Sequence, residues 1–425
     1  MHLFLQTRLA PFRHPNFRRF FFVQTVSLVG TWAHDLARSW IILSLMGSAS
    51  ALGSMLLATA IPGLALSLQA GVLADRVDVK RMMTWTKGIL AACALALAFF
   101  SEFAHIQMWH LLLYGLIEGS IVAFDAPTFQ ALTVRLVPRS EFQQAISLNS
   151  TNFHAARMLG PIVGGALLAL HGPSLVFLFD AASYAALALA LRSMDLSPLL
   201  RPAADRAVSP RALLADGLRY VWRTRRIRYV LWQLALAICV ASPVFSVVFR
   251  SYLTARFSLT SGEFGALFMF PAMGSMAGAV AFAALQPKRP LRALNFGVPL
   301  ALAGIVAVAV APTQPLAGLA MSVAGFGLYL SLASLTVSVH LSVEERYRGR
   351  VSSIIGLGFN ALGPLMSFPV GVFADAVGAK TAIVSLAGLF GAGSAVLAWR
   401  YRSVAAEGDG DQVGSTLRFP EKAPY

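Results

Sequence analysis

Glu118 and Asp125 are the residues most able to do chemistry in this chain, because they interrupt an apolar run in which little else is ionisable. Seven residues apart, they share one face of an α-helix, two turns and about 10 Å from each other. An acid deep in a hydrocarbon core costs roughly 2.5–3.5 kcal/mol even on permissive insertion scales, so such residues face a partner or a water-filled cavity. Desolvation favours the neutral carboxyl and a nearby cation favours the carboxylate, so moving that cation moves a proton. Arg157, with His154 three residues before it, is the charge partner expected for this pair, either as a movable switch or as a static ion pair locking two helices. Asp35 and Arg38, three apart, share a face of the first apolar run and form a third candidate, or else a self-neutralising pair.

These residues must be positioned by membrane spans. Of 425 residues, 57% are hydrophobic and 12% charged, about half the charge of a soluble domain. Stretches long enough to cross a bilayer fall at 17–45, 49–73, 82–101, 107–134, 141–171 and 174–194, then at 228–251, 260–286, 291–311, 315–343, 349–376 and 378–400. The first continues from Phe20 to about Leu45, too long for a cleaved signal, and reads as an uncleaved span. The predicted fold is therefore all-α, with twelve transmembrane helices in two six-helix bundles, residues 1–194 and 228–402. A polar linker (195–227) joins them and a polar tail (403–425) follows, read as disordered. Within the linker, Arg211 to Tyr229 reads either as an amphipathic helix on anionic headgroups or as a plain basic connector.

The net charge of +15 does not point to nucleic acid. Of 34 Lys and Arg, 28 lie in the tails and alternate loops and only 3 in the opposite loops. That asymmetry places both termini in the cytoplasm of a cell whose inner membrane the chain spans. Cys93 and Cys239, the only two cysteines, sit in apolar runs and give no disulfide framework. There is no phosphate-binding Gly-rich loop with Lys, no metal-ligand cluster and no nucleophile with a base, so neither an enzyme nor a cofactor is expected. Asn149-Ser150-Thr151 fits a glycosylation acceptor but lies inside a span.

Gly160-Pro161 and Gly363-Pro364 stand about midway along two spans that occupy equivalent places in the halves, a sign of duplication. Gly160/Gly164 and Gly274/Gly278 have GxxxG spacing and allow close approach of spans five and eight. If the halves enclose a cavity, the first supplies charge and the second an apolar, aromatic wall suited to an amphipathic substrate. Candidate lining residues are Gln24, Asn149, Asn152, Gln233, Phe268, Phe326, Tyr329, Phe359 and Asn360. Each aromatic among them is equally compatible with ordinary packing.

Several segments resemble the major facilitator superfamily, within it the drug–proton antiporter branch that includes siderophore exporters and macrolide efflux proteins. They are Asn16-Phe17-Arg18, Gly30-Thr31-Trp32, Gly71-Val72-Leu73-Ala74-Asp75-Arg76 with Lys80 and Arg81, Ala123-Phe124-Asp125-Ala126-Pro127, and Arg348-Gly349-Arg350-Val351. The resemblance covers roughly residues 16 to 402. It implies proton-coupled efflux of a small molecule by alternating access, in a monomer whose partners are substrate, protons and lipid. It also implies a latch in which Asp75, within the Gly71 to Arg81 loop, meets the start of the eleventh span near Arg350. The chain departs from the pattern at Asp78, where glycine is usual, at Phe129, where arginine is expected, and in the added polarity of His34, Asp35 and Arg38. Uptake, lipid flipping or a non-transporting sensor are the alternatives of the same fold.

Overall fold

A computed structural model describes residues 9–74, 78–194, 210–285 and 290–402. Helix is the only regular structure among them. In chain order the helices are α1 Pro15–Met46, α2 Ala49–Ala74, α3 Val79–Phe103, α4 Met108–Leu136, α5 Phe142–His171 and α6 Pro173–Ser193. Then come α7 Pro210–Arg223, α8 Arg225–Phe257, α9 Ser261–Leu285, α10 Leu294–Val310, α11 Gln314–Ser342, α12 over 345–377, and α13 Ala379–Arg400. Nine of these, all but α1, α4, α7 and α12, contain windows long and apolar enough to cross a membrane. Helices α1 and α4 carry the ionisable residues named above, and α12 has a shorter apolar helix, Gly363–Val377. The chain is a multi-pass membrane protein.

Local chemistry sets the breaks. Gly47 adopts φ 61° and ends α1, its N–H donating to the Leu43 carbonyl. Asp78, in place of the usual glycine, caps α3 by accepting from the Arg81 N–H at 2.9 Å. Thr260 and Glu263 form a capping box at the start of α9. The helix after the linker begins at Arg225, three residues before the expected span boundary, because Thr224 is extended and breaks α7 from α8. Helix α8 holds two π-helical turns, Ala237–Ala241 and Val244–Val248, either side of Ser242-Pro243, and α12 holds another at Gly358–Leu362 ahead of Pro364. Proline cannot donate to the helical ladder, and a widened turn is one way to absorb that loss.

Helices α1–α6 pack on one another and α8–α13 do likewise. The Gly-Pro pairs occupy matching places, with Gly160 and Gly363 each eighteen residues beyond the helix starts at Phe142 and Glu345. Two seams join the sets, α2 against α12 and α5 against α9. Both seams include the end of the bundle remote from the chain termini. There the Asp375 carboxylate of α12 accepts from the Ala49 and Ser50 N–H groups at 2.8 and 2.9 Å, capping the first turn of α2 from the other half. A methyl group on Gly165 would come within 2.7 Å of the Gly265 Cα, so the α5–α9 seam needs glycine on both sides. The GxxxG pairs do not form this seam. Gly160 and Gly164 press on Trp32 and Ala33 of α1, while Gly274 and Gly278 press on Ser322 and Phe326 of α11. Each pair faces inward to its own half, and the next residue along α5, Gly165, faces across.

Candidate functional site

Helix α1 is the polar spine of the first half. Its buried Arg38 donates to Glu118 of α4 at 2.7 Å and lies 4.8 Å over the Tyr114 ring. Four residues earlier, His34 is within 2.7 Å of the Asp180 carboxylate of α6, through Nδ1, and its ring stacks on Tyr114 at 4.5 Å. One turn earlier still, the Thr31 hydroxyl shares a 2.8 Å hydrogen bond with the Tyr184 hydroxyl. Lys87 of α3, also buried, pairs with Asp125, which also accepts from Thr86 at 3.3 Å. Spacing of three and four along α1 aims these groups at neighbouring helices on a common inward side.

The pairings differ from the expected ones. Glu118 and Asp125 are met by Arg38 and Lys87, not by Arg157. Asp35 lies 3.9 Å from Arg38, a loose contact, and is held at 2.8 Å by Arg250 of α8, which also donates to the Ser39 hydroxyl. Arg250, placed at a span edge by the sequence, thus carries a cation from the second half into the first. Arg157 has an exposed side chain, lies 5.4 Å over the Trp32 ring and makes no ion pair among the described residues. His154 meets Tyr329 of α11 edge-on at 5.7 Å, a contact between the halves.

Solvent reaches these acids unequally. The Asp125 side chain is 24% exposed and Asp35 20%, while Asp180 is fully buried. Asp180 is the residue that sequence reasoning missed, although it stands eighth in the apolar run of α6 and could have been found by the same rule that singled out Glu118. Its other oxygen, Oδ1, has no hydrogen-bond partner among the described residues. Counting charges across this interior, Arg38, Lys87 and Arg250 pair one-to-one with Glu118, Asp125 and Asp35. Among the described residues Asp180 has only His34 as an ion-pair partner.

A cavity of about 720 Å³ opens between α1, α4 and α5. Gln24, Asp125, Thr133, Asn149 and Ser150 supply its polar lining, and Phe129, Phe142 and Phe153 its aromatic wall. The Asn149 side chain donates to the Thr133 hydroxyl at 3.3 Å. Phe129, where the antiporter pattern expects arginine, makes this wall apolar at that point. The other suggested lining residues lie elsewhere. Asn152 is buried, Gln233 is buried and donates to the Ser394 carbonyl at 3.2 Å, and Phe268 packs on Phe264 beneath Arg250. Phe326 backs onto Gly278, and Phe359 is 40% exposed on the π-turn of α12. The Asn360 side chain lies outside the described residues, as do Asp75 and Arg76 of the expected latch. Of that latch, Gly71 falls in the last turn of α2. Lys80 donates to the Met194 carbonyl at 2.6 Å, the Arg81 N–H goes to Asp78, and Arg350 pairs with Asp216 of α7.

Comparison with known proteins gives this geometry a family. The profile described as transmembrane secretion effector (MFS_3) matches residues 6–423. The multidrug efflux pump Tap of Mycolicibacterium fortuitum is 25% identical over 362 residues, 83% of this chain and 87% of that protein. The staphyloferrin A transporter of Staphylococcus aureus is 28% identical over 169 residues, 39% of this chain and 42% of its own length. Among solved structures, an inward-facing, unoccupied bacterial homologue of the human lysosomal transporter Spinster superposes with a TM-score of 0.70 at 15% identity, covering 93% of this chain and 97% of the other. An inward-facing bacterial homologue of the iron transporter ferroportin gives 0.69 at 16% identity, covering 92% and 99%. The chain belongs to the transmembrane secretion effector family of the major facilitator superfamily, and is a membrane transporter of small molecules rather than an enzyme.

Proposed function

We propose that the protein is a proton-coupled exporter of a small amphipathic molecule, a drug or siderophore, working by alternating access. The observation that carries this reading is the surplus of buried acid in the first half. With three acids paired to three cations, the His34–Asp180 pair retains one proton, because an uncompensated buried charge is far more costly than a neutral hydrogen-bonded pair. Helices α1, α4 and α12 complete twelve spans, in bundles 1–194 and 228–402. The excess of Lys and Arg in the loops on the side of the termini supports a cytoplasmic location for that end. The seams at the opposite end are what an inward-facing state in that orientation would show.

Coupling follows from Arg250. In the inward-facing state it neutralises Asp35 across the seam. Opening the outer end withdraws it with the second half and leaves Asp35 and Glu118 to share Arg38, so the first half gains affinity for a proton, taken from outside. Closing the outer end returns Arg250 and expels that proton inward. The direction is that of proton entry against substrate exit. The Phe-lined cavity with Asp125, Asn149 and Gln24 accommodates an amphipathic substrate, in keeping with the drugs and staphyloferrin A for which the two relatives are named. The latch reading extends the same cycle, with Asp75 competing with Asp216 for Arg350.

The test is transport by purified protein in proteoliposomes under an imposed proton gradient. Glu118→Gln and Asp125→Asn should abolish gradient-driven efflux while leaving folded protein in the membrane. Normal transport by both variants overturns the coupling scheme, and flux with the gradient rather than against it overturns the direction.

A further inference from the structure

The junction of α7, α8 and α13 lies away from the transport cavity and carries its own chemistry. Arg223 and Arg225 flank the α7–α8 break, Arg228 follows one turn on, Arg400 ends α13 and Arg402 lies two residues beyond it. None of the five makes an ion pair among the described residues. Asp216, the acid of α7 nearest to them in sequence, is already committed to Arg350. The arginines are held rather than splayed. Arg228 donates to the Trp222 carbonyl at 2.9 Å and the Tyr401 hydroxyl at 3.0 Å, and Arg225 donates to the Arg400 carbonyl at 3.2 Å.

Between them runs a cleft of about 440 Å³, whose lining includes Trp222, Trp232, Arg228, Arg400 and Tyr401. The two indoles, 57% and 46% exposed, meet edge-on at 6.1 Å. A second groove of about 200 Å³ shares Trp222, Arg228 and Trp232 and continues over Leu231, Ile238 and Ile354 with almost no polar lining. The first cleft therefore offers cations beside indole and phenol rings, the side chains that settle at a membrane interface. The second offers a hydrocarbon-lined path that starts from the same three residues.

We propose that this paired cleft seats one anionic phospholipid, its phosphodiester among Arg225, Arg228 and Arg400 and an acyl chain along the groove of α8 and α12. Charge complementarity selects the headgroup, since basic pockets between spans on the cytoplasmic side suit anionic lipid. The apolar continuation separates a lipid from a free phosphate, which would have no use for it. The occupant also braces α7 from one side. On the other side, α7 holds the start of α12 through Asp216–Arg350 and the Tyr220–Tyr347 stack at 4.0 Å.

The experiment uses full-length protein in phosphatidylcholine nanodiscs doped with an equal fraction of brominated-acyl phosphatidylglycerol or brominated-acyl phosphatidylcholine, with tryptophan quenching as readout. The anionic lipid should quench in excess of the zwitterionic one. That excess should vanish in Trp222→Phe/Trp232→Phe, and should need about fivefold more phosphatidylglycerol for each charge removed in Arg225→Gln/Arg400→Gln. Equal quenching by the two lipids overturns the site, as does an excess that survives both double variants. Displacement of the excess by millimolar inorganic phosphate would assign the cleft to a small anion and also overturn the lipid. Should the arginine variant fail to insert, the wild-type excess still decides, since it must fall as salt screens the headgroup.

Discussion

The two halves share an architecture but divide their chemistry. Among the described residues, α1–α6 bury Arg38, Lys87 and Asp180 in the interior, with Glu118 and Asp125 partly covered, whereas α8–α13 bring one deep cation, Arg250, and direct it into the first half. The second half instead holds the π-turns and broken helices, in α8, α9 and α12. One half is built to hold charge in fixed pairs and the other to bend. On the proposed cycle, coupling needs only one contact between them, the Arg250–Asp35 pair, because a single moved cation alters the balance of the whole acidic set.

The contrast breaks most severely at Arg38. Truncation by Arg38→Ala leaves Glu118 partly buried without a cation, a loss of about 3–5 kcal/mol, and should lower the melting temperature in detergent sharply as well as abolish transport. Restoring the balance with Arg38→Ala/Glu118→Gln should recover stability but not proton-driven flux, and failure to recover it would mean that Arg38 acts by packing alone. Next in size, Asp180→Asn removes the acid that no Lys or Arg pairs with among the described residues. Folding should be retained, because the amide can still hydrogen-bond His34, while gradient-driven efflux falls at least about tenfold, the usual least cost of losing a proton-transfer group. Energy-independent substrate exchange should survive in the same vesicles.

Much of this was legible in the sequence, and the reasons for the remainder are physical. Apolar length and Gly and Pro positions set most helix ends to within a few residues, since a span has a minimum length and glycine ends helices such as α1. Helix α8, however, runs six residues past its expected end, to Phe257, and α7 stops six residues short, at Arg223. The acids Glu118, Asp125 and Asp35 stood out because charge is rare in a hydrocarbon environment. Their partners did not, because pairing depends on how six helices rotate about one another. Arg157 was one helix away in order, yet Lys87 and Arg38 proved to be the inward-facing cations. Arg250 reads as an edge residue in a linear count, and only the seam brings it to Asp35. The expected cavity mixed residues from both halves, whereas the described cavity takes Gln24 and Asn149 from the first alone and leaves Gln233 packed against α13.

A seam that closes through few polar contacts is open to adjustment without damage to either half. Asp375 caps the first turn of α2 from α12, so it acts only while that end of the seam, the outer one on the proposed orientation, is shut. Asp375→Asn keeps the size and an acceptor but loses the charge that favours a helix N-terminus, a difference of about 0.3–1 kcal/mol. That should shift the inward-to-outward ratio toward outward by a few-fold, read as faster labelling of a cysteine introduced at Ser39, with Cys93 and Cys239 removed, by a membrane-impermeant reagent from outside. Arg250→Gln should move the same readout further, since it removes a full ion pair from the same closure. Asp375→Asn touches no contact inside its own half among the described residues, so its melting temperature should stay near wild type. Arg250→Gln also gives up the Phe268 ring and leaves Asp35 with the distant Arg38 alone, so its melting temperature should fall as well as its labelling rise. A large fall in melting temperature without a change in labelling would place these residues in the stability of the bundles rather than in the equilibrium between them.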